Sequence, residues 1–375
     1  MLLYVHVPFC RKKCLYCAFA SQVLDMGALE IYCDALIREM RLWSGRLGRP
    51  AVSTVYFGGG TPTLLPSWAL ARIMPELAKQ FDIAPDVEFT FEANPDSTVD
   101  AGYLRDLRSY GVNRLSIGVQ SLSDADLTFL GRPHTAQQAV MAYGLARRAG
   151  FTNVSLDLLW GLPGQRVSQW LEELKTVVKM RPEHLSCYGL TVEPDTPLEE
   201  LVGRGETSLP EEGEQARMFM LGAEYLEAEG YIQYEISNFA RMGFLSRHNS
   251  GYWKGEDYLG LGPSAVSTLS GSRHENPRDV KTYANRTRDK SIGADAQELA
   301  PDETIKEMVM LGLRTSQGLS LADYRKTTGR DFLKDNAPLI QGLRQNGLIR
   351  INRGFLRLTK NGMLVSNVIL ARLQY

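Results

Sequence analysis

No stretch of 18 or more apolar residues interrupts this chain of 375 residues, so a membrane-spanning helix is not expected. Neither sign of charge is in excess: Lys and Arg number 42 against 43 Asp and Glu. The resulting net charge of -1 predicts no dominant polyanionic partner. Cysteine is scarce at five residues, an odd count with three crowded together, which argues against the disulfide framework of a secreted domain. The opening residues, "MLLYVHVPFC", lack a basic segment, a long apolar core and a small-residue cleavage site. A secretory signal is therefore not expected, and the chain reads as cytoplasmic. Internal repeats beyond strand–helix alternation are missing, as are low-complexity linkers. What remains is ordinary globular composition, 44% hydrophobic and 23% charged, with length for two or three domains.

Apolar, β-branched runs recur through the first half: "LLYVHVPF" (2–9), "STVYF" (53–57), "VEFTFE" (87–92), "RLSIGV" (114–119), "NVSLDLLW" (153–160) and "HLSCYGLTV" (184–192). Between them, stretches such as 29–43 and 136–150 carry helical periodicity. Strands alternating with helices of this length predict an α/β fold of βαβ units on a parallel sheet. Six units suit a partial (β/α)6 TIM-like barrel spanning residues 1–192. The segments that follow the strands are polar or glycine-rich. They are a cysteine loop, "GGGTPT" (58–63), Glu92 with "ANPD" behind it, Gln120, and Asp157 ahead of "WGLPG" (160–164). Barrels of this type place their active sites at those carboxyl ends. Strand alternation puts Ser155 and Asp157 on one face.

The cysteine loop, "CRKKCLYC", spaces Cys10, Cys14 and Cys17 as C-x3-C-x2-C. A zinc knuckle would need a fourth ligand, for which His6 is the candidate, and structural zinc sites usually add a second cysteine pair that is missing here. Cys33 and Cys187 sit in apolar surroundings and read as core. The remaining reading is an iron–sulfur cluster held by three thiolates. Clusters ordinarily take four, so one iron stays free to accept a small molecule. Gly58, Gly59 and Gly60 allow close backbone approach to a ligand. Glu92 can accept from ribose hydroxyls, and Arg132, in "LGRPHT", can clamp a carboxylate.

These residues resemble the radical S-adenosylmethionine (SAM) superfamily. In that superfamily the open iron of a 4Fe-4S cluster chelates SAM, and an electron from the cluster cleaves the sulfonium to a 5'-deoxyadenosyl radical. "YVHVPFCRKKCLYC", "FGGGTPT", "FEANPD", "RLSIGVQSL", "LGRPHT", "DLLWGLPGQ" and "GLGPSA" resemble the branch that holds anaerobic coproporphyrinogen III oxidases and heme chaperones. By position, the resemblance implies cluster ligands Cys10, Cys14 and Cys17. It implies SAM contacts from Tyr4, Tyr16, Gly59, Gly60, Thr61, Glu92, Gln120, Arg132 and Asp157. The oxidase pattern continues with a further cysteine where this chain has Phe19, and the oxidases carry an extension ahead of the cluster for which nine residues before Cys10 leave no room. "RHNSGYW" (247–253) matches a chaperone motif, H-N-x-x-Y-W, with His248 as the expected axial ligand of heme iron and His134 and His274 as weaker competitors. The implied function is a heme chaperone that passes heme to acceptor proteins, with the oxidase as alternative. The implied partners are heme, heme-accepting proteins and a small-molecule or flavodoxin-like reductant, around a monomer or heme-linked dimer.

Residues 193–300 contain a helical stretch at 211–230, strand-like "YIQYEIS" (231–237) and a segment, 257–271, expected against the open side of the barrel as a barrel-closing, heme-handling unit. "GLGPSA" lacks the third glycine and βαβ context of a dinucleotide fingerprint and is expected as a turn near the cofactor. Residues 276–297 read as loop. From Pro301 to Tyr375 the order helix, helix, hairpin around Asn352-Arg353-Gly354 predicts a winged-helix-like α+β domain. Its 12 Lys and Arg against 6 Asp and Glu raise a remote alternative, a cluster-containing DNA-binding redox regulator, although the whole-chain charge offers no steering field and nucleic acid is not expected.

Overall fold

The computed structural model describes residues 1–98 and 100–375. All six apolar runs become strands: β1 (Leu2–Val7), β2 (Ala51–Gly59), β3 (Asp82–Ala93), β4 (Arg114–Gln120), β5 (Asn153–Trp160) and β6 (His184–Gly189). They lie side by side in chain order, each parallel to the next. The crossovers carry α1 (Met26–Leu47), α2 (Ser67–Gln80), α3 (Ala101–Ser109), α4 (Asp124–Leu130), α5 (Ala136–Arg148) and α6 (Val167–Met180). Local chemistry sets their ends. The Asp25 carboxylate accepts from Ala28 N to start α1, and Gly48, at φ 68°, turns the chain out of it.

The strands are two-faced, and both faces are buried. Outward residues such as Val5, Phe57, Phe91, Ile117, Leu156 and Cys187 join the helices in one core that includes Cys33 of α1. The opposite face carries Thr54, Glu88, Thr90, Arg114, Ser116, Ser155, His184 and Ser186, each nearly inaccessible. The sheet is therefore curled around its own polar lumen.

Residues 193–300 do not form a separate layer. After α7 (Pro197–Gly203) and α8 (Glu212–Ala228), the chain adds strands to both open edges of the six. β7 (Ile232–Gln233) and β8 (Asn238–Ala240) extend the β6 side antiparallel. β9 (Tyr258–Leu261) pairs parallel with β1 and carries β10 (Val266–Leu269), β11 (Ser272–Glu275) and β12 (Gln297–Glu298) beyond it. Two sequence expectations change here. "YIQYEIS" is a tight hairpin, because Tyr234 turns inward and its hydroxyl meets His184 Nε2 at 2.8 Å. The loop expected over 276–297 contains α10 (Val280–Arg288), after α9 (Arg247–Trp253). Asp279 caps α10, and Val280, Tyr283, Ala284 and Thr287 give it a buried stripe that its polar composition hid.

The C-terminal unit has its own core of Val309, Leu313, Tyr324, Phe332, Leu356 and neighbours. A three-stranded sheet of Leu319–Ser320, Phe355–Leu358 and Ile349–Asn352 packs with the helices between Pro301 and Gln345. Its hairpin turns at Arg353 and Gly354, both at positive φ, as the sequence predicts. Among the described residues no helix is long and apolar enough to cross a membrane.

Candidate functional site

The β1–α1 loop carries Cys10, Cys14 and Cys17 at the carboxyl end of β1, and all three are free thiols. The loop is held at both ends and in the middle. Phe9 and Cys10 pair with Gln22 and Val23 in a short parallel ladder, and Leu15 N donates to Leu130 O at 3.1 Å. Burial pushes the Cys10 and Cys17 thiols up, so a positive centre is needed to hold them as thiolates. Among the described residues no three His, Cys, Asp or Glu side chains stand close enough to share one metal ion. His6 also leaves the zinc reading without a fourth ligand. Its Nδ1 meets the Tyr4 hydroxyl at 3.0 Å and its Nε2 the Ala20 carbonyl at 2.8 Å. Three thiols on one loop, with both nitrogens of His6 engaged elsewhere, suit a three-thiolate cluster.

The glycines after β2 serve the packing of that loop. Gly59 adopts φ 105°, and a Cβ there would fall 2.5 Å from the His6 ring. A Cβ on Gly60 would fall 2.5 Å from the Phe9 carbonyl oxygen. Gly60 N donates to Val7 O, and Thr61 N to Phe9 O. The strand end thus lies directly against the cysteine loop, which no larger residue permits.

Two carboxylates face the lumen near this rim. Glu92 accepts from the Tyr56 hydroxyl at 2.6 Å and from Gly59 N at 3.2 Å. Burial, reinforced by the negative charge of Asp157, raises Glu92 to about 7. Asp157 accepts from Ser116 and Ser155 hydroxyls, the second as strand alternation predicts, and burial raises it too. Gln120 ends β4 in the left-handed region, at φ 66°, where the pairing with β5 skips a residue. A non-glycine residue held there marks a constrained turn at the site. Arg132 Nη1 lies 3.4 Å from Cys14 Sγ, and Nη2 donates to Asn94 Oδ1 and Gly118 O. Its Nε is buried without a partner. Tyr16 packs on Leu130, Leu159, Leu162, Leu190 and Leu198. The rim therefore gathers the cysteines with Gly59, Gly60, Thr61, Glu92, Gln120, Arg132 and Asp157. Asn94, absent from the sequence-based set, belongs to it; its sequence signals were its place just after β3 and within "FEANPD".

A cavity of about 370 Å³ opens beside the loop, lined by Tyr4, His6, Phe19, Tyr252, Tyr258 and Arg278 among others. His248 is not in its wall. It lies at the lumen floor, 2% exposed, with Nδ1 on Thr54 Oγ1 at 2.8 Å and its ring between Tyr56 and Tyr252. Burial holds it neutral, down at about 3, and its Nε2 has no partner. His248, the axial ligand that the resemblance implies, is thus buried beside the lumen with Nε2 as its free nitrogen. His134 and His274, at 4% and 6% exposure, are as closed, the latter stacked on Trp43.

Comparison with known proteins adds an independent line. Residues 4–177 match the radical SAM superfamily and residues 299–365 the HemN C-terminal domain. The heme chaperone HemW of Bacillus subtilis is 36% identical over 98% of this chain and 97% of its own. That of Lactococcus lactis is 32% identical over 97% and 94%. The mitochondrial radical S-adenosyl methionine domain-containing protein 1 of Mus musculus is 34% identical over 99% and 86%. Among solved structures, the coproporphyrinogen III oxidase HemN of Escherichia coli superposes with a TM-score of 0.84 at 25% identity, over 99% of this chain and 89% of that one.

Proposed function

The chain belongs to the heme chaperone HemW family of radical SAM proteins, and from that premise we propose that it binds a 4Fe-4S cluster, SAM and heme and passes the heme to acceptor proteins in the cytoplasm. When bound, the cluster and SAM supply one-electron chemistry, fed by a small-molecule or flavodoxin-like reductant. The protein's own groups hold and orient. Cys10, Cys14 and Cys17 bind iron, Glu92 accepts from the ribose, and Arg132 and Asp157 meet the charged ends of SAM.

The observation that carries the chaperone reading is Phe19. Where the oxidase pattern has a further cysteine, this chain presents a phenyl ring that is 65% exposed and lines the cavity with Tyr4, Tyr252 and Tyr258. Aromatic faces suit a porphyrin plane, and Arg278 at the same wall suits a propionate. His248 remains our axial ligand because its Nε2 is buried without a hydrogen-bond partner. The likeness to HemN supports a second reading, oxygen-independent oxidation of coproporphyrinogen III. One experiment separates them: the anaerobically reconstituted, reduced protein is incubated with SAM and either heme or coproporphyrinogen III. Stoichiometric heme, seen as a Soret band, without protoporphyrinogen supports the chaperone. Product without stable heme overturns it. His248→Ala is expected to alter the Soret position; an unchanged spectrum and affinity remove His248 as the ligand.

A further inference from the structure

Asn94 stands between two of the cluster-loop cysteines without touching either. Its Oδ1 accepts from Arg132 Nη2 at 2.8 Å, and its Nδ2 donates to Thr61 Oγ1 at 3.0 Å. Beyond those neighbours, Arg132 Nη1 lies 3.4 Å from Cys14 Sγ and Thr61 Oγ1 lies 3.8 Å from Cys10 Sγ. The amide's orientation follows from chemistry. A guanidinium only donates, so the Asn94 atom that faces it is the oxygen. The amide nitrogen then faces Thr61 and donates to it. Thr61 Oγ1 is an acceptor in that bond, which leaves its single proton free to point at Cys10 Sγ. The backbone carbonyl of Gly118 fixes the same Arg132 nitrogen at 2.9 Å.

We propose that Asn94 is a positioning residue for the cluster, aiming the Arg132 guanidinium at Cys14 and the Thr61 hydroxyl at Cys10 and so raising the cluster's readiness to accept an electron. The proposal rests on the cluster reading above. Reduction adds one electron from an external donor and makes or breaks no bond. The added negative charge is shared with the thiolate sulfurs, and donors aimed at those sulfurs favour the reduced state. A leucine at 94 keeps the volume and loses both bonds. An aspartate keeps the bond to Arg132 but accepts from Thr61, which turns the hydroxyl proton away from Cys10.

The test is an EPR-monitored redox titration of the full-length, anaerobically reconstituted wild type, Asn94→Leu, Asn94→Asp and Thr61→Val, each with its iron and sulfide content measured. Iron content is expected to match wild type throughout. Asn94→Leu is expected to show an about tenfold lower reduced-to-oxidised ratio at the wild-type midpoint, which is a shift of ~59 mV for a one-electron couple. Thr61→Val and Asn94→Asp should shift the same way by less. The Asn94→Leu and Thr61→Val double variant should shift by less than the sum, because Asn94 acts in part through Thr61. Intact iron with an unmoved midpoint in Asn94→Leu overturns the proposal while the cluster reading stands. Should Asn94→Leu lose iron, Thr61→Val decides, and an unmoved midpoint there overturns it. A wild type that takes up no iron sinks both readings at once.

Discussion

Glu88 and Glu92 lie four residues apart on β3 and face the same lumen, yet their surroundings differ. Glu88, at the floor, receives the backbone N–H groups of Arg247 and His248 and the Ser246 hydroxyl, and its charge lies near the buried Arg114. It anchors the start of α9, where a helix offers amide hydrogens and positive potential. Glu92, at the rim, has one tyrosine hydroxyl, one longer amide bond and a second carboxylate as its neighbour. The same chemistry is spent on architecture at one level and held available for a ligand one layer higher. Histidine divides likewise. His184, at the floor, shares both ring nitrogens, with Ser155 and Tyr234, whereas His248 shares only Nδ1, with Thr54. A polar lumen is therefore not uniformly a binding site; its open capacity lies at the carboxyl ends of the strands and, at the floor, on His248 Nε2.

The contrast breaks most completely at the rim cysteines. Cys10→Ala, Cys14→Ala or Cys17→Ala is expected to remove most bound iron after anaerobic reconstitution while far-ultraviolet circular dichroism stays the same; full iron content in any of them refutes the assignment. The floor breaks differently. Glu88→Ala strips the α9 start and leaves Arg114 buried without its counter-charge, which costs about 3 kcal/mol. Urea denaturation should show that loss, with iron content of the folded fraction unchanged.

The smallest effect sharpens the comparison through pH. With Glu92 at about 7, its carboxyl is mostly protonated at pH 6 and mostly ionised at pH 8. A ligand hydroxyl needs the ionised form as acceptor, so SAM affinity should rise about tenfold from pH 6 to pH 8, as the competent fraction does. The same raised value works against the ligand-free fold, which binds the proton more tightly than the unfolded chain and so loses stability between about 4.5 and 7 as pH rises. Calorimetric titration at both pH values checks the first statement, and Glu92→Gln should flatten the dependence. An equal slope in that variant would assign it elsewhere.

What the sequence disclosed follows from how local each signal is. Apolar, β-branched runs, most of them followed by glycine or proline, revealed all six strands, and the pairing of Ser155 with Asp157 needs only the two-residue repeat. The cysteine spacing is local too, so the loop was readable. The fate of His6 and His248 was not, because it depends on Ala20, Thr54 and Tyr56 arriving from other parts of the chain. Asn94 carries no unusual spacing, and its meaning appears only when Arg132 and Thr61 come to either side. The α10 stripe was masked because a narrow buried face suffices where α1 supplies the other wall.

The seam between β1 and β9 also sets a clock. β1 meets β2 once residue 59 exists, but its other edge pairs with Tyr258–Leu261. At a synthesis rate of 5–20 residues per second, that edge stays bare for about 10–40 s on the ribosome. Throughout that interval the strand that launches the cysteine loop exposes unpaired backbone, a template for any passing strand. Loading of iron onto the loop before the seam closes would act on a nascent chain whose first strand is anchored on one side only.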